Sequence, residues 1–250
     1  MKAILTYHSV DDTGSVISVS PAQLKRHLDA LAASGARVVP LASLRDEPDD
    51  ANVLSITFDD GFANFYTTAM PVLAERGIPA TVFIVTGAVG GDNKWELRDS
   101  RARVPRLPLM SWDEIADAAD RGFDIGGHGH AHRSLAGLRR RDVEREVDEC
   151  SDLIEARLGA PPATFAFPYG DFDANAAAVV AKRFRLAVTT EFRALDSGDA
   201  DVALPRLDAY YFRGGRIMRR WGSAEFAAYV DLRRSGRALG ERMRKRGVPS

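Results

Sequence analysis

Two short stretches carry side chains able to do chemistry together. Asn52-Val-Leu-Ser-Ile-Thr-Phe-Asp-Asp-Gly61 is an apolar run that breaks into two adjacent carboxylates, Asp59 and Asp60, and a glycine. Asp124-Ile-Gly-Gly-His-Gly-His-Ala-His132 breaks into three histidines within five residues, in a chain with five histidines altogether. His128 and His132 are four apart, so a turn-like backbone puts both imidazoles on one side, where they can take adjacent positions on a divalent metal. One carboxylate of the Asp59-Asp60 pair would make a third protein ligand and leave a position open for water, the pattern of a catalytic rather than a structural site. Such a cation polarises a carbonyl and brings the pKa of water toward about 7. The other carboxylate is then free to act as general base. Two neighbouring carboxylates resist ionising together, and ligation of one relieves that conflict.

Taken singly, each motif is weak. Asp-Asp-Gly is commonly a solvated turn, and His-x-x-x-His recurs without metal. Their conjunction, each following an apolar run, makes a metal-dependent hydrolytic site the favoured reading. His130 lies between the ligand candidates and is expected to point away from the metal.

These residues need a scaffold that brings two loops to one place. Lys2–Tyr7 reads as a strand ending at His8. A Ser20-Pro-Ala-Gln23 capping box starts a helix that Gly35 stops. Short strands are expected at 37–39, 53–58, 80–85, 123–126, 164–167, 186–190 and 203–207. Helices are expected at 71–76, from the Ser111 capping box to Gly122, along the Val143, Val147, Cys150, Ile154 and Leu158 stripe to Gly159, and at 174–184. Residues 87–110 read as a long functional loop. Strand–helix alternation predicts an α/β fold, a parallel sheet closed or nearly closed into a barrel. In such barrels the site lies at the C-terminal ends of the strands, where His8, Asp59, Asp60, His128 and Tyr169 all fall.

The chain has 250 residues, 45% of them hydrophobic and 28% charged, which suits a globular enzyme with a sizeable core. A net charge of −1 gives no nucleic-acid signature. The single cysteine, Cys150, excludes an intrachain disulfide framework and is expected in the core. No apolar run suits a signal peptide or a membrane span, so the expected location is cytoplasmic.

Thr57-Phe-Asp-Asp-Gly61 with His128 and His132 downstream resembles the polysaccharide deacetylase family, the NodB-homology domain of carbohydrate esterase family four. So do Ile78-Pro-Ala-Thr-Val-Phe83, Met110-Ser-Trp-Asp113, Phe165-Ala-Phe-Pro-Tyr-Gly170 and Leu204-Pro-Arg206. The resemblance covers about residues 1–210. It implies a distorted (β/α)7-type barrel that removes acetyl groups from N-acetylated sugars with zinc or a similar divalent ion. Carried over, it implies Asp60, His128 and His132 as metal ligands, Asp59 as general base, and the backbone N–H of Tyr169 as oxyanion donor.

Three departures stand out. Gly129 replaces the usual Ser or Thr after the first histidine. Ala166 replaces an Arg that orients the catalytic Asp, and Arg206 is the candidate substitute. No late histidine supplies the acid. His8 fills that gap if the family order is permuted, because the first and last strands of a closed barrel are neighbours.

The resulting expectation is a catalytic domain over 1–212 and a basic helical extension over 213–250. The substrate would be an N-acetylated glycan or a lipid-linked sugar. Trp95 is a candidate sugar contact, whereas Trp112 is as readily a packing residue. The basic tail, Arg213 to Arg246 with Phe226, Tyr229, Leu232, Leu239 and Met243, could meet a membrane surface but more simply packs a narrow apolar stripe on the barrel. Two other readings keep the same residues: an amidohydrolase acting on a small non-glycan amide, and a catalytically inactive sugar-binding module.

Overall fold

The computed structural model describes residues 1–95 and 104–246, with side chains described as far as residue 237. Part of the expected 87–110 loop therefore lies outside the described residues, as do the side chains of Leu239, Arg242, Met243, Arg244, Lys245 and Arg246.

Ten strands and six α-helices follow in order among those residues. They are β1 (Lys2–Tyr7), β2 (Ser9–Val10), β3 (Ser18–Val19), α1 (Pro21–Ser34), β4 (Arg37–Val38), β5 (Val53–Phe58), α2 (Met70–Glu75), β6 (Thr81–Ile84), α3 (Trp112–Asp120), β7 (Asp124–Gly127), α4 (Arg140–Leu158), β8 (Thr164–Ala166), α5 (Ala174–Val180), β9 (Leu186–Val188), β10 (Leu207–Asp208) and α6 (Ala224–Arg246). The main sheet is parallel throughout, in the order β10-β1-β5-β6-β7-β8-β9, with β4 also on β5. Every residue of β1 and β5 is buried. Strands covered on both faces are mostly apolar, and the polar side chains among them find partners inside, as Ser55 does on the Val39 carbonyl. The predicted distorted barrel is what forms. The sheet curls, and the segment from Leu204 to Asp208 touches both of its edges: Leu204 bridges Val188 of β9, and β10 pairs with Leu5 and Thr6 of β1.

Local chemistry sets the helix ends. Ser20 and Gln23 form a reciprocal capping box, as do Ser111 and Glu114. Gly35 and Gly159 end α1 and α4 at φ 73° and 83°, a backbone region that costs glycine nothing. Cys150 is fully buried with Val143, Val147 and Ile154 on the inner face of α4. Two expected boundaries move. A wide π-helical turn, Phe65–Ala69, leads directly into α2, so helix begins earlier than the 71–76 pattern indicates. The last strand sits at Leu207–Asp208 rather than at 203–207, because Pro205 has no N–H to give a ladder.

His27 of α1 is buried between Tyr7 and the backbone of Phe212. Its Nε2 donates to the Phe212 carbonyl (2.9 Å), which leaves Nδ1 to accept from the Tyr7 hydroxyl (3.0 Å). Burial pushes its pKa down to about 4.

The basic C-terminal segment docks on this core. Phe226 and Val230 are buried in it, and the Tyr229 hydroxyl donates to the Tyr211 carbonyl at 2.6 Å. Arg237 lies over the rings of Phe192 and Tyr211. Leu232 remains exposed. No described helix is long and apolar enough to cross a membrane.

Candidate active site

The site is built from residues immediately beyond strand ends. β5 delivers Asp59 and Asp60, β7 delivers His128 and the loop to His132, β1 delivers His8, and the turn after β8 delivers Tyr169. The parallel register places Tyr7 beside Phe58 and Ile84 beside Gly127, so the next residues of these strands emerge at one mouth.

Asp60, His128 and His132 converge there. Their nearest ligand atoms lie within 4.8 Å of one another, and all three side chains are buried. Asp60 Oδ1 is 3.4 Å from His128 Nε2 and 3.3 Å from His132 Nε2. His128 Nδ1 donates to the Ala166 carbonyl at 2.7 Å, so in the neutral ring Nε2 presents a lone pair. That lone pair faces a buried carboxylate oxygen which makes no hydrogen bond among the described residues. Two acceptors pointed at each other in a dry pocket are unfavourable unless a proton or a metal cation lies between them. The donor set therefore fits a divalent cation: one carboxylate oxygen and two imidazole nitrogens.

Electrostatics suit a metal ligand at Asp60 and His132, while at His128 a proton competes for the same lone pair. Burial alone would raise the Asp60 pKa, but the adjoining imidazoles of His128 and His132 hold it well below the usual carboxylate range. Burial depresses His132, favouring the neutral ring that a metal needs. Burial also works against a charged His128, but there Asp60 and Asp59 prevail and its pKa rises.

Asp59 is held separately. Arg206 donates to both of its oxygens, Nη1 to Oδ1 at 2.6 Å and Nη2 to Oδ2 at 2.7 Å. The guanidinium is itself buried and fully engaged, with Nε on the Thr189 carbonyl (2.9 Å) and Nη1 also on the hydroxyls of Thr6 (3.0 Å) and Thr57 (3.2 Å). Burial would raise the Asp59 pKa, but this guanidinium more than offsets it and keeps the carboxyl ionised. His8 Nε2 lies 3.7 Å from Asp59 Oδ2, with its ring partly open to solvent.

Among the described residues, three non-glycine positions have positive φ: Asp60 (70°), His132 (52°) and Tyr169 (60°). All three belong to this site. Left-handed backbone costs a non-glycine residue of order 1–3 kcal/mol and persists where the surroundings over-determine it. At Tyr169 the Thr190 hydroxyl donates to the Tyr169 carbonyl (3.2 Å), and the next residue, Gly170, approaches the Thr190 backbone so closely that a Cβ would clash. The Tyr169 ring stands edge-on to His132 at 4.6 Å.

Each residue singled out from the sequence has a definite place. His8, Asp59, Asp60, His128, His132, Tyr169 and Arg206 come together. His130 turns aside, with Nδ1 3.1 Å from the Thr86 hydroxyl and Nε2 3.6 Å from Glu149. Trp95 packs against the His132 ring at 4.7 Å and lines a cleft of about 770 Å³ that also includes Lys94, Arg133 and Tyr169. Trp112 stacks under the Arg157 guanidinium, away from that cleft. Sequence reasoning missed two carboxylates. Asp208, paired in register with Thr6 of β1, is close enough to His8 for that imidazole to lower its pKa against a larger upward push from burial. Glu146, on the buried face of α4, accepts backbone N–H groups from His130 and Ala131. The one available signal was a glutamate falling at helical spacing among Val143, Val147 and Cys150.

Known proteins resemble this chain in sequence and in fold. The chain is 24% identical over 234 residues to the protein YxkH of Bacillus subtilis (strain 168), covering 91% of this chain and 75% of that one. It is 23% identical over 180 residues to the poly-beta-1,6-N-acetyl-D-glucosamine N-deacetylase of Staphylococcus aureus (strain MRSA252), covering 66% of this chain and 57% of that protein. Its fold matches the structure of IcaB from Ammonifex degensii with a TM-score of 0.75 at 23% identity, over 87% of this chain and 97% of that one. The family model for polysaccharide deacetylase matches residues 46–185, a span holding both the Asp59-Asp60 pair and the histidine loop. On that match, which spans more than half of the chain, the chain belongs to the polysaccharide deacetylase family.

Proposed function

We propose that this protein is a metal-dependent hydrolase that removes N-acetyl groups from an amino sugar in a glycan or glycan precursor. The observation that carries the reading is the buried Asp60–His128–His132 cluster with a second carboxylate, Asp59, held ionised beside it by Arg206. The S. aureus relative's name supplies the substrate class, a polymer of N-acetylglucosamine.

A divalent cation, zinc in our assignment, held by Asp60, His128 and His132 would polarise the acetamide carbonyl and acidify a water. Asp59 takes the proton from the attacking water. It is ionised at neutral pH, and its bidentate partner fixes which way its lone pairs point. The Tyr169 backbone N–H, set by its left-handed conformation, serves the developing oxyanion, where such a donor is worth about 3–4 kcal/mol. His8, near Asp59 and partly open to solvent, gives a proton to the leaving amine. Acetate and a free amine result. Trp95 and Tyr169, flanking His132, offer flat faces for a sugar ring. We assign catalysis to residues 1–212 and treat 213–250 as a basic extension, which packs on that unit through Phe226 and Val230.

The test is acetate release from poly-N-acetylglucosamine oligomers and from a panel of small N-acetyl amides, with and without a chelator and with zinc restored. Release from the oligomers that is chelator-sensitive supports the reading. Release from small amides alone favours the amidohydrolase alternative, and no release from any member would leave a sugar-binding module.

A further inference from the structure

The histidine loop is unusual in how it is held. Its residues 129–131 run between two metal-ligand candidates, and Gly129 (φ 77°) and His132 (φ 52°) are both left-handed. One side of the loop is fixed by backbone: Thr86 donates to the Gly129 carbonyl at 3.3 Å, and Gly87 donates to the His130 carbonyl at 2.9 Å. Gly87 packs so tightly there that a Cβ would meet the His130 carbonyl oxygen at 2.7 Å.

The opposite side has no neighbouring strand to pair with. Its N–H groups go instead to one carboxylate oxygen. Glu146 Oε2 accepts from Ala131 at 2.8 Å and from His130 at 3.2 Å. The side chain is 5% exposed, and its other oxygen is 3.7 Å from Arg133 Nη1 at the cleft rim. A buried carboxylate is costly unless it is hydrogen-bonded, and two successive backbone N–H groups form a concave site suited to an anion.

We propose that Glu146 is a positioning residue for the metal site. It acts through the backbone of residues 130 and 131, holding His128 and His132 at the separation and rotation that a shared cation requires. This inference rests on Asp60, His128 and His132 being the ligands. Metal sites depend on such outer partners for one to two orders of magnitude in affinity. What matters here is the reach of the acceptor to both N–H groups, not the charge it carries.

Two substitutions separate reach from charge. Glu146→Gln keeps a carbonyl oxygen at the same distance and removes the charge. Glu146→Asp keeps the charge and withdraws the acceptor by one methylene. Zinc affinity is measured by competition with a chromogenic chelator. The absorption spectrum of the cobalt-loaded protein reports ligand geometry, and the thermal midpoint of the metal-free protein reports fold integrity. Glu146→Gln is expected to bind zinc within about threefold of wild type with an unchanged cobalt spectrum. Glu146→Asp is expected to lose about 10- to 100-fold in zinc affinity with an altered cobalt spectrum, more than the same change at Glu155 on the exposed face of α4. Wild-type zinc binding and an identical cobalt spectrum in Glu146→Asp would overturn the proposal. So would a Gln variant as impaired as the Asp variant. A wild-type protein that binds neither metal would instead overturn the ligand set itself.

Discussion

Arg206 and Asp59, 147 residues apart in sequence, meet in a bidentate pair with both side chains buried. Arg206 stands just ahead of β10 and Asp59 just after β5, and β1 lies between those two strands in the sheet. The guanidinium reaches across β1 and touches the Thr6 hydroxyl on the way. The pair therefore depends on sheet order, and it joins the stability of the barrel to the ionisation of its proposed base.

Replacing Arg206 by Gln should leave Asp59 buried without its counter-ion. Breaking a buried pair from one side costs about 3–5 kcal/mol, read as a large fall in thermal midpoint. The depressed Asp59 pKa should also rise once the guanidinium is gone. The acid limb of the kcat/KM profile should then move to higher pH, because protonation disables the base earlier as pH falls. An unmoved acid limb in a folded variant would separate Asp59 from the base role.

The two neighbouring aspartates should fail differently. Asp59→Asn should keep its metal, by elemental analysis, and lose about 10²- to 10⁴-fold in kcat. Asp60→Asn and His132→Ala should lose metal as well as activity. Equal metal loss in all of them would mean that both aspartates act as ligands.

His8→Ala should lower kcat by about 10²-fold or more while metal content stays unchanged. A variant with wild-type kcat would place the proton donor elsewhere, and Asp208 beside it would be the next residue to test.

His27 makes a prediction about stability rather than rate. In the unfolded chain it takes a proton near pH 6.5; buried, it resists until about 4. Between those values the unfolded state binds more protons, so stability falls as pH is lowered through the window, by about 3 kcal/mol in all. Urea midpoints measured from pH 7 to pH 4 should show that slope, and His27→Gln should flatten it. The same slope in the Gln variant would assign the acid sensitivity to other groups.

Much of this was legible in the sequence because the relevant signals are local. The capping boxes at Ser20 and Ser111, the apolar run into Asp59 and the histidine spacing each lie within a few residues. They carry the strand–helix alternation and the side chains of Asp59, Asp60, His128 and His132, whereas the parts expected of His8, Tyr169 and Arg206 came from the resemblance to a family. What escaped notice depends on contacts between distant segments. Glu146 reads as one more charge on a charged helix until the histidine loop is laid against it. Asp208 gains meaning only when β10 is in register with β1. The early helical turn at Phe65 was hidden because a π turn lacks the 3.6-residue spacing that the eye follows.

Leu204 to Asp208 meets both edges of the sheet and carries the counter-ion of Asp59. Vectorial synthesis gives this a temporal meaning. A ribosome-bound chain that has emerged with Asp59, Asp60 and both histidines already holds the central strands, yet its aspartate stays without this counter-ion until the 74 residues from Arg133 to Arg206 have been added. The aspartate and the arginine that holds it ionised thus belong to early and late parts of the nascent polypeptide, and the pair forms only when the last strand closes on the first.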